Sequence, residues 1–295
     1  MFVKLSAILA AALVASEFQA ATAVDYLGGW LPTPSKEQCV DICVNSKAEP
    51  TCLTSDPACL AKQQRPGDFD YLLLEQIFVP QLCRDLLVGV DSTGSHQNVL
   101  PYPNGIACKP EVVKSELTIH GLWPNYNDGY ASCCNVSDTI GNHPYSALEF
   151  FQNQVELIAE MSDAWVDPTQ STAYDSLCEI YNHDAVNYFK ATLNVAASLA
   201  NATAQIAEWA ASPAAEAPSV AAIQALYPKS TQVFCSAVDG VNQLSAIRTC
   251  YAKPANISSD GPFEQQDCAL PKATSTFALC NETAPVSLKA YIAPM

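Results

Sequence analysis

Basic residues are scarce in this chain. It has 295 residues, of which 14 are Lys or Arg and 30 are Asp or Glu, so the formal net charge at pH 7 is −16. Proteins that hold nucleic acid through its phosphates need clustered Lys and Arg, whereas the basic residues here are scattered. The composition therefore argues against nucleic-acid binding by bulk electrostatics. It suits an extracellular protein, or one in an acidic compartment where many carboxylates are protonated.

Long apolar runs are missing from all but the first residues. There, Lys4 precedes an apolar stretch from Leu5 to Ala15, and Ala21-Thr22-Ala23 forms a small-x-small cleavage site. The stretch is too short to span a bilayer, so the pattern predicts a secretory signal peptide over residues 1–23 rather than an anchor. We expect a mature protein without a membrane segment, secreted or held in an endolysosomal or vacuolar lumen.

Histidine is rare as well, and its copies are isolated from one another in the sequence. Metal sites draw their ligands from clusters of Cys, His and acidic residues, and cysteines of a secreted chain are expected to be oxidised. The four histidines are His96, His120, His143 and His183. The sequence therefore predicts no metal site and no cofactor.

Cysteine, by contrast, is abundant. Thirteen cysteines in a secreted chain predict disulfides, and the odd number leaves at least one thiol over or paired between chains. Residues 24–66 form a loop-rich block that we interpret as a cysteine-rich N-terminal extension, with a pairing that the sequence leaves open. Its cysteines are Cys39, Cys43, Cys52 and Cys59.

Four N-x-S/T sequons fit the secretory route. They predict a glycoprotein if the host is eukaryotic. The acceptor residues would be Asn135, Asn201, Asn256 and Asn281.

Residues 67–295 are predicted to form one domain of the α+β class. Apolar and alternating patterns favour strands over residues 69–79, 116–123, 231–238 and 243–252. Pro80 would end the first strand, and Gly121 and Pro124 would cut the second. Helical spacing is seen over residues 145–161, 185–211 with a break near Asn201, and 219–226. Strands and helices do not alternate regularly, which disfavours a doubly wound sheet.

The segment from Leu117 to Gly129 carries the strongest functional signal. It reads LTIHGLWPNYNDG and places His120 between a strand and a Trp-Pro turn. A histidine in such a setting is either a packed, hydrogen-bonded residue or a group that moves protons. The segment closely resembles the first active-site segment of the ribonuclease T2 family of secreted, disulfide-rich endoribonucleases, which reads like F-T-I-H-G-L-W-P.

The resemblance extends from Phe69 to Cys280, more loosely outside that segment. The stretch FDYLLLEQIFVPQLC is similar to the family's first strand, which ends in Gln-Gln-Trp-Pro. Gln76 matches the first of those glutamines, and Ile77, Phe78 and Val79 replace the rest. VFCSAVDGVNQLSAIRTCYAK is similar to the family's late strand pair.

The resemblance implies a fold and a disulfide pattern. The fold is a central antiparallel sheet flanked by helices. The implied disulfides join Cys83 to Cys108, Cys235 to Cys280, Cys250 to Cys268, and Cys178 to Cys134 or Cys133.

Members of the family cleave RNA by attack of the ribose 2′-OH on the adjacent phosphorus, which gives a 2′,3′-cyclic phosphate. The reaction needs a base, an acid and positive charge at the phosphate. By resemblance, His120 is the histidine of the first segment and takes part in proton transfer. The remaining groups come from a second segment, H-E-W-x-K-H-G-T-C.

That second segment is degenerate in this chain. In one register its cysteine is Cys178, and Asp175 stands at the second histidine. In another register His183 is the first histidine, while Asn187 and Tyr188 replace the lysine and the second histidine. A base typically contributes about 10²–10⁴ in rate, so little ordinary activity is expected. Asp175 or His183 would then act opposite His120 in proton transfer. Otherwise Asp175 is a helix cap or a solvated charge, and His183 is a solvated helix residue.

A nucleobase site would survive this loss. Trp123 and Tyr130 are placed to stack a base and Asn125 to bind its edge, unless Trp123 is core and the Asn-rich stretch is only a turn. Three functions remain open. The chain is an RNA- or nucleotide-binding relative with weak or no catalysis, a divergent acid endoribonuclease, or a cysteine-rich module that binds a protein partner.

Overall fold

The structure is a computed structural model, and it describes a large part of the chain. The described residues are 63–64, 69–93, 96, 99–126, 129–130, 133–134, 150, 152–169, 172–173, 185–212, 217–238, 242–255, 261, 263–269 and 277–294. The chain divides into two compact units, Met1–Pro66 with Ser132–Val155, and Gly67–Ala131 with Glu156–Met295. The predicted signal peptide and the Cys39–Cys59 block lie outside the described residues, so the proposed domain boundaries stay predictions.

The first unit contains a short parallel pair of strands. Strand β1 (Gln63–Gln64) pairs with β5 (Cys133–Cys134), with Gln63 opposite Cys133 and Gln64 opposite Cys134. The side chains of Cys133 and Cys134 lie outside the description, as does Cys178, so the fourth implied disulfide is untested.

The second unit is built on a seven-stranded antiparallel sheet. Its main path runs β11-β8-β9-β2-β3-β4, and β10 pairs with β9. The strands are β2 (Tyr71–Phe78), β3 (Leu117–Tyr126), β4 (Gly129–Tyr130), β8 (Gln232–Ser236), β9 (Leu244–Ala252), β10 (Gln265–Gln266) and β11 (Phe277–Leu279). A separate hairpin joins β6 (Val166–Asp167) to β7 (Thr172–Ala173).

Strand β2 lies at the centre of this sheet, between β3 and β9. Seven of its eight residues are buried, because both of its faces are covered. A strand covered on both faces reads as a continuous apolar run, and this explains the sequence YLLLEQIF. Glu75 and Gln76 are the two polar residues in the run, and both are buried.

Five helices are defined in the described residues: α1 (Val79–Leu87), α2 (Val155–Ala164), α3 (Ala185–Ala197), α4 (Ala200–Ala211) and α5 (Val220–Gln224). The predicted break near Asn201 is present as the turn between α3 and α4. Helix α5 begins after Ser219, whose hydroxyl accepts a hydrogen bond from the amide of Ala222 (3.1 Å), as an N-cap serine does.

Helix α1 was not predicted. Pro80 was expected only to end the preceding strand, but it occupies the first turn of α1. Proline is favoured there because its missing N–H has no intrahelical partner and its fixed φ suits the helix.

Strand β3 is longer than predicted. It continues through Gly121 and Pro124 to Tyr126, so the expected cut at these residues is wrong. Gly121 lies at an irregularity that the strand accommodates, described below. Within the described residues, β4 pairs with Asn125 and Tyr126 and not with Pro124, and a proline is tolerated in a strand where no neighbouring strand needs its N–H.

Three disulfides connect the elements of the second unit: Cys83–Cys108, Cys235–Cys280 and Cys250–Cys268. They are the same pairs that the family resemblance implies. Each closes a loop of 18 to 45 residues, a size for which a disulfide contributes about 3 kcal/mol to stability.

The α+β class with a central antiparallel sheet is confirmed. In the described ranges, no helix is long and apolar enough to cross a membrane.

Candidate active site

A β-bulge places His120. Glu75 on β2 is paired with Gly121 on β3, but the next residue, Gln76, is paired with Ile119. His120 is therefore the extra residue on β3. A bulge disturbs the strict alternation of a strand and re-aims a side chain, which is why bulges are common beside active sites.

The imidazole of His120 is bound to the Glu75 carboxylate. Nδ1 lies 2.6 Å from Oε1 of Glu75. Both residues are buried, with 8% of His120 and 3% of Glu75 exposed. An imidazole and a carboxylate from neighbouring central strands are thus in direct contact, largely shielded from solvent.

A guanidinium lies on the other side of the same carboxylate. Arg248 on β9 is directly opposite Glu75 in the sheet, and its Nε donates a hydrogen bond to Oε2 of Glu75. The guanidinium also lies over the ring of Phe234, 4.6 Å from the ring centroid, a favourable cation–π position. We refer to His120, Glu75 and Arg248 as the charged row.

Glu75 is held in its ionised form. Burial alone would raise the pKa of its carboxyl, but the hydrogen bond and charge of His120 and the charge and hydrogen bond of Arg248 outweigh burial and lower that pKa to about 2. The carboxylate therefore acts only as an acceptor. With a protonated imidazole the charged row has one net positive charge, and with a neutral imidazole it has none.

This pairing assigns the two ring nitrogens. An ionised carboxylate has no proton to give, so Nδ1 must donate, and in the neutral ring Nε2 is the nitrogen that accepts a proton. An imidazole oriented through Nδ1 by a carboxylate is a common arrangement for proton transfer.

The backbone at His120 is fixed as well. The indole Nε1 of Trp165 donates to the carbonyl of His120 (3.2 Å). Trp165 is fully buried and packs against Tyr188 and Phe189 of α3, at centroid distances of 5.8 and 5.1 Å. The helix layer thereby supports the strand at the residue where the bulge occurs.

Trp123 lies beside the imidazole. Its ring contacts the ring of His120 edge-on, with centroids 5.7 Å apart. It also covers Gly121, where an added Cβ would come within 2.7 Å of the indole carbons. Trp123 is half-buried, so one part of the ring braces His120 and the remainder is accessible.

The other predicted base-binding residues lie at the same end of β3. Asn125 is half-buried and is paired with Tyr130 on β4. The backbone of Tyr130 is described, but its side chain is not. The structure therefore brings Trp123, Asn125 and the backbone of Tyr130 to the end of the strand that carries His120.

Asp175 and His183 lie outside the described residues, so their predicted roles stay predictions. Three of the replacements in the second register, Ala185, Asn187 and Tyr188, lie in the described part of α3. Tyr188 is buried, and its hydroxyl accepts a hydrogen bond from the amide of Leu122 (3.4 Å). Helix α3, which begins two residues after His183, thus contacts the strand of His120.

Glu75 and Arg248 were missed in the sequence. The signal was present, since each is the one charged residue inside a mostly apolar strand, in LLLEQIF and LSAIRTCYA. A buried charge in a strand needs a partner. The pairing itself was hidden, because Glu75 and Arg248 are 173 residues apart.

A second histidine cluster lies elsewhere in the same unit. His96 Nδ1 is 3.0 Å from Asp91 Oδ2, and its Nε2 is 3.5 Å from Asp167 Oδ2 and 3.3 Å from the Thr169 hydroxyl. Burial would lower the pKa of His96, but its hydrogen bonds to Asp167 and Asp91 and their charges raise it to about 9. We refer to His96, Asp91 and Asp167 as the His96 cluster.

Two of the predicted glycosylation sites are described. Asn201 is exposed near the start of α4. Asn281 is exposed in a turn, where its Oδ1 accepts from the amide (3.0 Å) and hydroxyl (2.8 Å) of Thr283. Asn135 and Asn256 lie outside the described residues.

The described residues contain no group of three or more His, Cys, Asp or Glu side chains placed to hold a metal ion. A cleft of about 540 Å³ is lined by residues that include Trp209, Pro218, Ser219 and Glu282. None of the predicted site residues lines this cleft.

Comparisons with known proteins identify the family. The model of the ribonuclease T2 family matches residues 69–260. Similar solved structures include human RNase T2 (16% identity, TM-score 0.46, covering 77% of this chain and 100% of that one) and Japanese pear S3-RNase (14%, 0.45, 74% and 99%). RNase NT in complex with 5′-AMP is also similar (16%, 0.41, 74% and 99%). A comparison with curated proteins found no match. The match over residues 69–260 shows that the chain belongs to the ribonuclease T2 family and has its fold.

Proposed function

We propose that this chain is a secreted member of the ribonuclease T2 family that binds single-stranded RNA or nucleotides at the charged row and cleaves RNA weakly or not at all. The signal-peptide pattern and the sequons support the secretory route. The observation that carries the binding proposal is the row of His120, Glu75 and Arg248 on adjacent strands.

The charged row suits a phosphate. When the imidazole is protonated, the row has a net positive charge, while the whole chain has a net charge of −16. Because His120 and Glu75 are buried, their charges are screened less than surface charges. Binding would therefore depend on this local site and not on the charge of the whole chain.

The base would lie at the end of β3. Aromatic side chains supply stacking surfaces for unpaired bases, and the half-buried ring of Trp123 is in contact with His120. A nucleotide with its phosphate near His120 thus has an indole within reach of its base. Asn125 and Tyr130 are proposed to complete the base site.

We expect weak catalysis because the charged row supplies only part of the groups that RNA cleavage needs. It contains one imidazole, and its guanidinium is engaged with Glu75. In the described part of the chain the only other histidine is His96, which is held by Asp91 and Asp167. In the second register, the positions of the family's lysine and second histidine hold Asn187 and Tyr188.

One observation favours a second candidate, an active acid endoribonuclease. The Glu75 carboxylate orients His120 through Nδ1, which is an arrangement that serves general acid–base catalysis. The second group would then be Asp175, His183 or another residue outside the described ranges.

The test is to incubate the purified mature protein with single-stranded RNA between about pH 4 and 7, the range over which carboxylates and imidazoles titrate. We expect binding, little cyclic-phosphate product, and loss of binding in His120→Ala and Trp123→Ala. Efficient cleavage that vanishes in His120→Ala would replace the proposal with the second candidate. Binding of neither RNA nor mononucleotide would overturn both and favour a protein-interaction role for the Cys39–Cys59 block.

A further inference from the structure

We infer that Glu75 is a positioning residue that sets the tautomer of His120, and that Arg248 fixes which atom of the side chain at position 75 faces β9 and which faces the imidazole. The chemistry of the three groups leaves one consistent arrangement of protons. What Nε2 then meets, a phosphate oxygen or a ribose hydroxyl, rests on the proposed function. The tautomer itself does not.

The direction of each hydrogen bond in the charged row can be assigned by beginning at Arg248. A guanidinium has only donors and does not lose its proton in proteins. Its Nε donates to Oε2 of Glu75, so the atom at that position must accept. The other carboxylate oxygen, Oε1, faces Nδ1 of His120 at 2.6 Å and also accepts, which fixes the ring proton on Nδ1.

Replacing Glu75 with glutamine reverses this assignment. The amide has one acceptor oxygen and one donor NH₂ group. Its oxygen must face Arg248, because the NH₂ group would place donor against donor there. The NH₂ group then faces Nδ1, which must accept, so the proton of the neutral ring moves to Nε2.

Removing the guanidinium as well makes the original tautomer accessible again. In Glu75→Gln/Arg248→Met, nothing requires the amide oxygen to face β9. The amide can rotate and present its oxygen to Nδ1, so the ring proton can return to Nδ1. A purely structural role for either residue predicts additive damage and no such return.

Nitrogen-15 correlation spectra of the histidine rings report which nitrogen has the proton. Spectra of the full secreted chain would be recorded from about pH 5 to 9, a range around the usual imidazole pKa. The His120 signals are assigned by their absence in His120→Ala. We expect the Nδ1–H tautomer in the wild type, Nε2–H in Glu75→Gln, and a regained population of Nδ1–H in the double variant.

Asp91→Asn provides a matched control. It removes another carboxylate from a histidine Nδ1, at 3.0 Å from His96, and should change the His96 signals while those of His120 stay as in the wild type. A reversal of His120 in this control would mean that the signals report general disturbance and would overturn the inference.

The wild type alone can decide the matter if Glu75→Gln fails to fold. A wild-type His120 with its proton on Nε2 contradicts the inference, and so does a Glu75→Gln protein that keeps Nδ1–H. A double variant that stays at Nε2–H contradicts the part assigned to Arg248. Binding of 5′-AMP, measured on the same samples, tests the proposed function separately: no binding with the expected tautomers would overturn only that proposal.

Discussion

The charged row and the His96 cluster share an imidazole–carboxylate contact but differ in the third charged group. In both, a buried imidazole has Nδ1 against a carboxylate, at 2.6 Å for His120 and 3.0 Å for His96. In the charged row the third group is the cation Arg248. In the His96 cluster it is a second carboxylate, Asp167.

The third partner decides what each cluster can bind. With its imidazole protonated, the charged row has one net positive charge, and the His96 cluster has one net negative charge. The first would attract a phosphate and the second would repel it. A buried imidazole–carboxylate pair is therefore no mark of a binding site until the charge beyond the carboxylate is known.

The two clusters also differ in the secondary-structure elements that hold them. The charged row is formed by three adjacent strands at the centre of the sheet, so its spacing is set by the hydrogen-bond ladder. The His96 cluster connects the segment between α1 and β3 to β6. The charged row therefore has the fixed geometry that a binding site needs, whereas the His96 cluster connects a loop to the β6–β7 hairpin.

The largest effect is expected from deleting the shared carboxylate of the charged row. Glu75→Ala removes a buried carboxylate that pairs with the mostly buried guanidinium of Arg248, and breaking a buried pair costs about 3–5 kcal/mol. Urea denaturation at pH 7 should show a drop of this order in the free energy of unfolding. Glu116→Ala is the control. Oε1 of Glu116 lies 3.5 Å from Nζ of Lys114, and both side chains are far more exposed than the charged row. Exposed pairs of this kind contribute about 0–1 kcal/mol. Equal losses in both variants would refute the distinction.

The next effect separates the clusters by ligand binding. Arg248→Gln removes the net positive charge of the row, and a hydrogen bond to a charged group is worth about 1.5–3 kcal/mol. We expect about a tenfold to hundredfold weaker binding of 5′-AMP at pH 5 and a smaller salt dependence. Asp167→Asn in the His96 cluster should leave nucleotide affinity unchanged. If Asp167→Asn weakens binding as strongly, the ligand does not select the charged row.

The His96 cluster should instead appear in stability against pH. The pKa of His96 is raised to about 9, so its contribution is complete below the unfolded value of about 6.5 and is lost as pH rises through about 9. The pKa of Asp91 is lowered to about 2 through its hydrogen bonds with His96 and Thr93, which outweigh burial. Its contribution is present above about pH 4 and lost towards pH 2. The cluster therefore stabilises most between about pH 4 and 6.5.

The variant His96→Gln tests this window. We expect it to be less stable than the wild type by about 1–3 kcal/mol at pH 5, and the difference to shrink at pH 9.5. Unfolding free energies at the two pH values give the comparison, with free thiols blocked. A difference that grows with pH would contradict the assigned signs. A maximum in this range also fits the proposed acidic lumen.

The sequence predicted the individual strands and residues of the site better than the contacts between them. The motif around His120 and the apolar run before Cys83 were enough to place two strands and the imidazole. The charged row depends on which residues face each other across β2, β3 and β9, and that register is shifted by a bulge. A period of two along each strand does not reveal one extra residue, so Glu75 and Arg248 could be suspected but not paired.

The same limit explains the remaining differences. Pro80 has two readings, the end of a strand or the start of a helix, and only packing of α1 decided between them. His96 and its two aspartates extend from residue 91 to residue 167 of the chain, and no motif connects them. Local patterns gave the elements, whereas clusters assembled from distant residues required the structure.

The smallest effect concerns the ring that covers Gly121. In Gly121→Ala the new Cβ would come within 2.7 Å of the Trp123 indole, so the ring must move off the edge of His120. Aromatic contacts of this kind are worth about 0.5–1.5 kcal/mol, and we expect nucleotide affinity to fall about threefold to tenfold while inorganic phosphate binding is unchanged. Repeating the substitution in Trp123→Ala, where there is no indole to displace, should abolish the effect. An equal loss in both backgrounds would show that Gly121 acts through the backbone of the bulge, and the charged row would then depend on strand geometry alone.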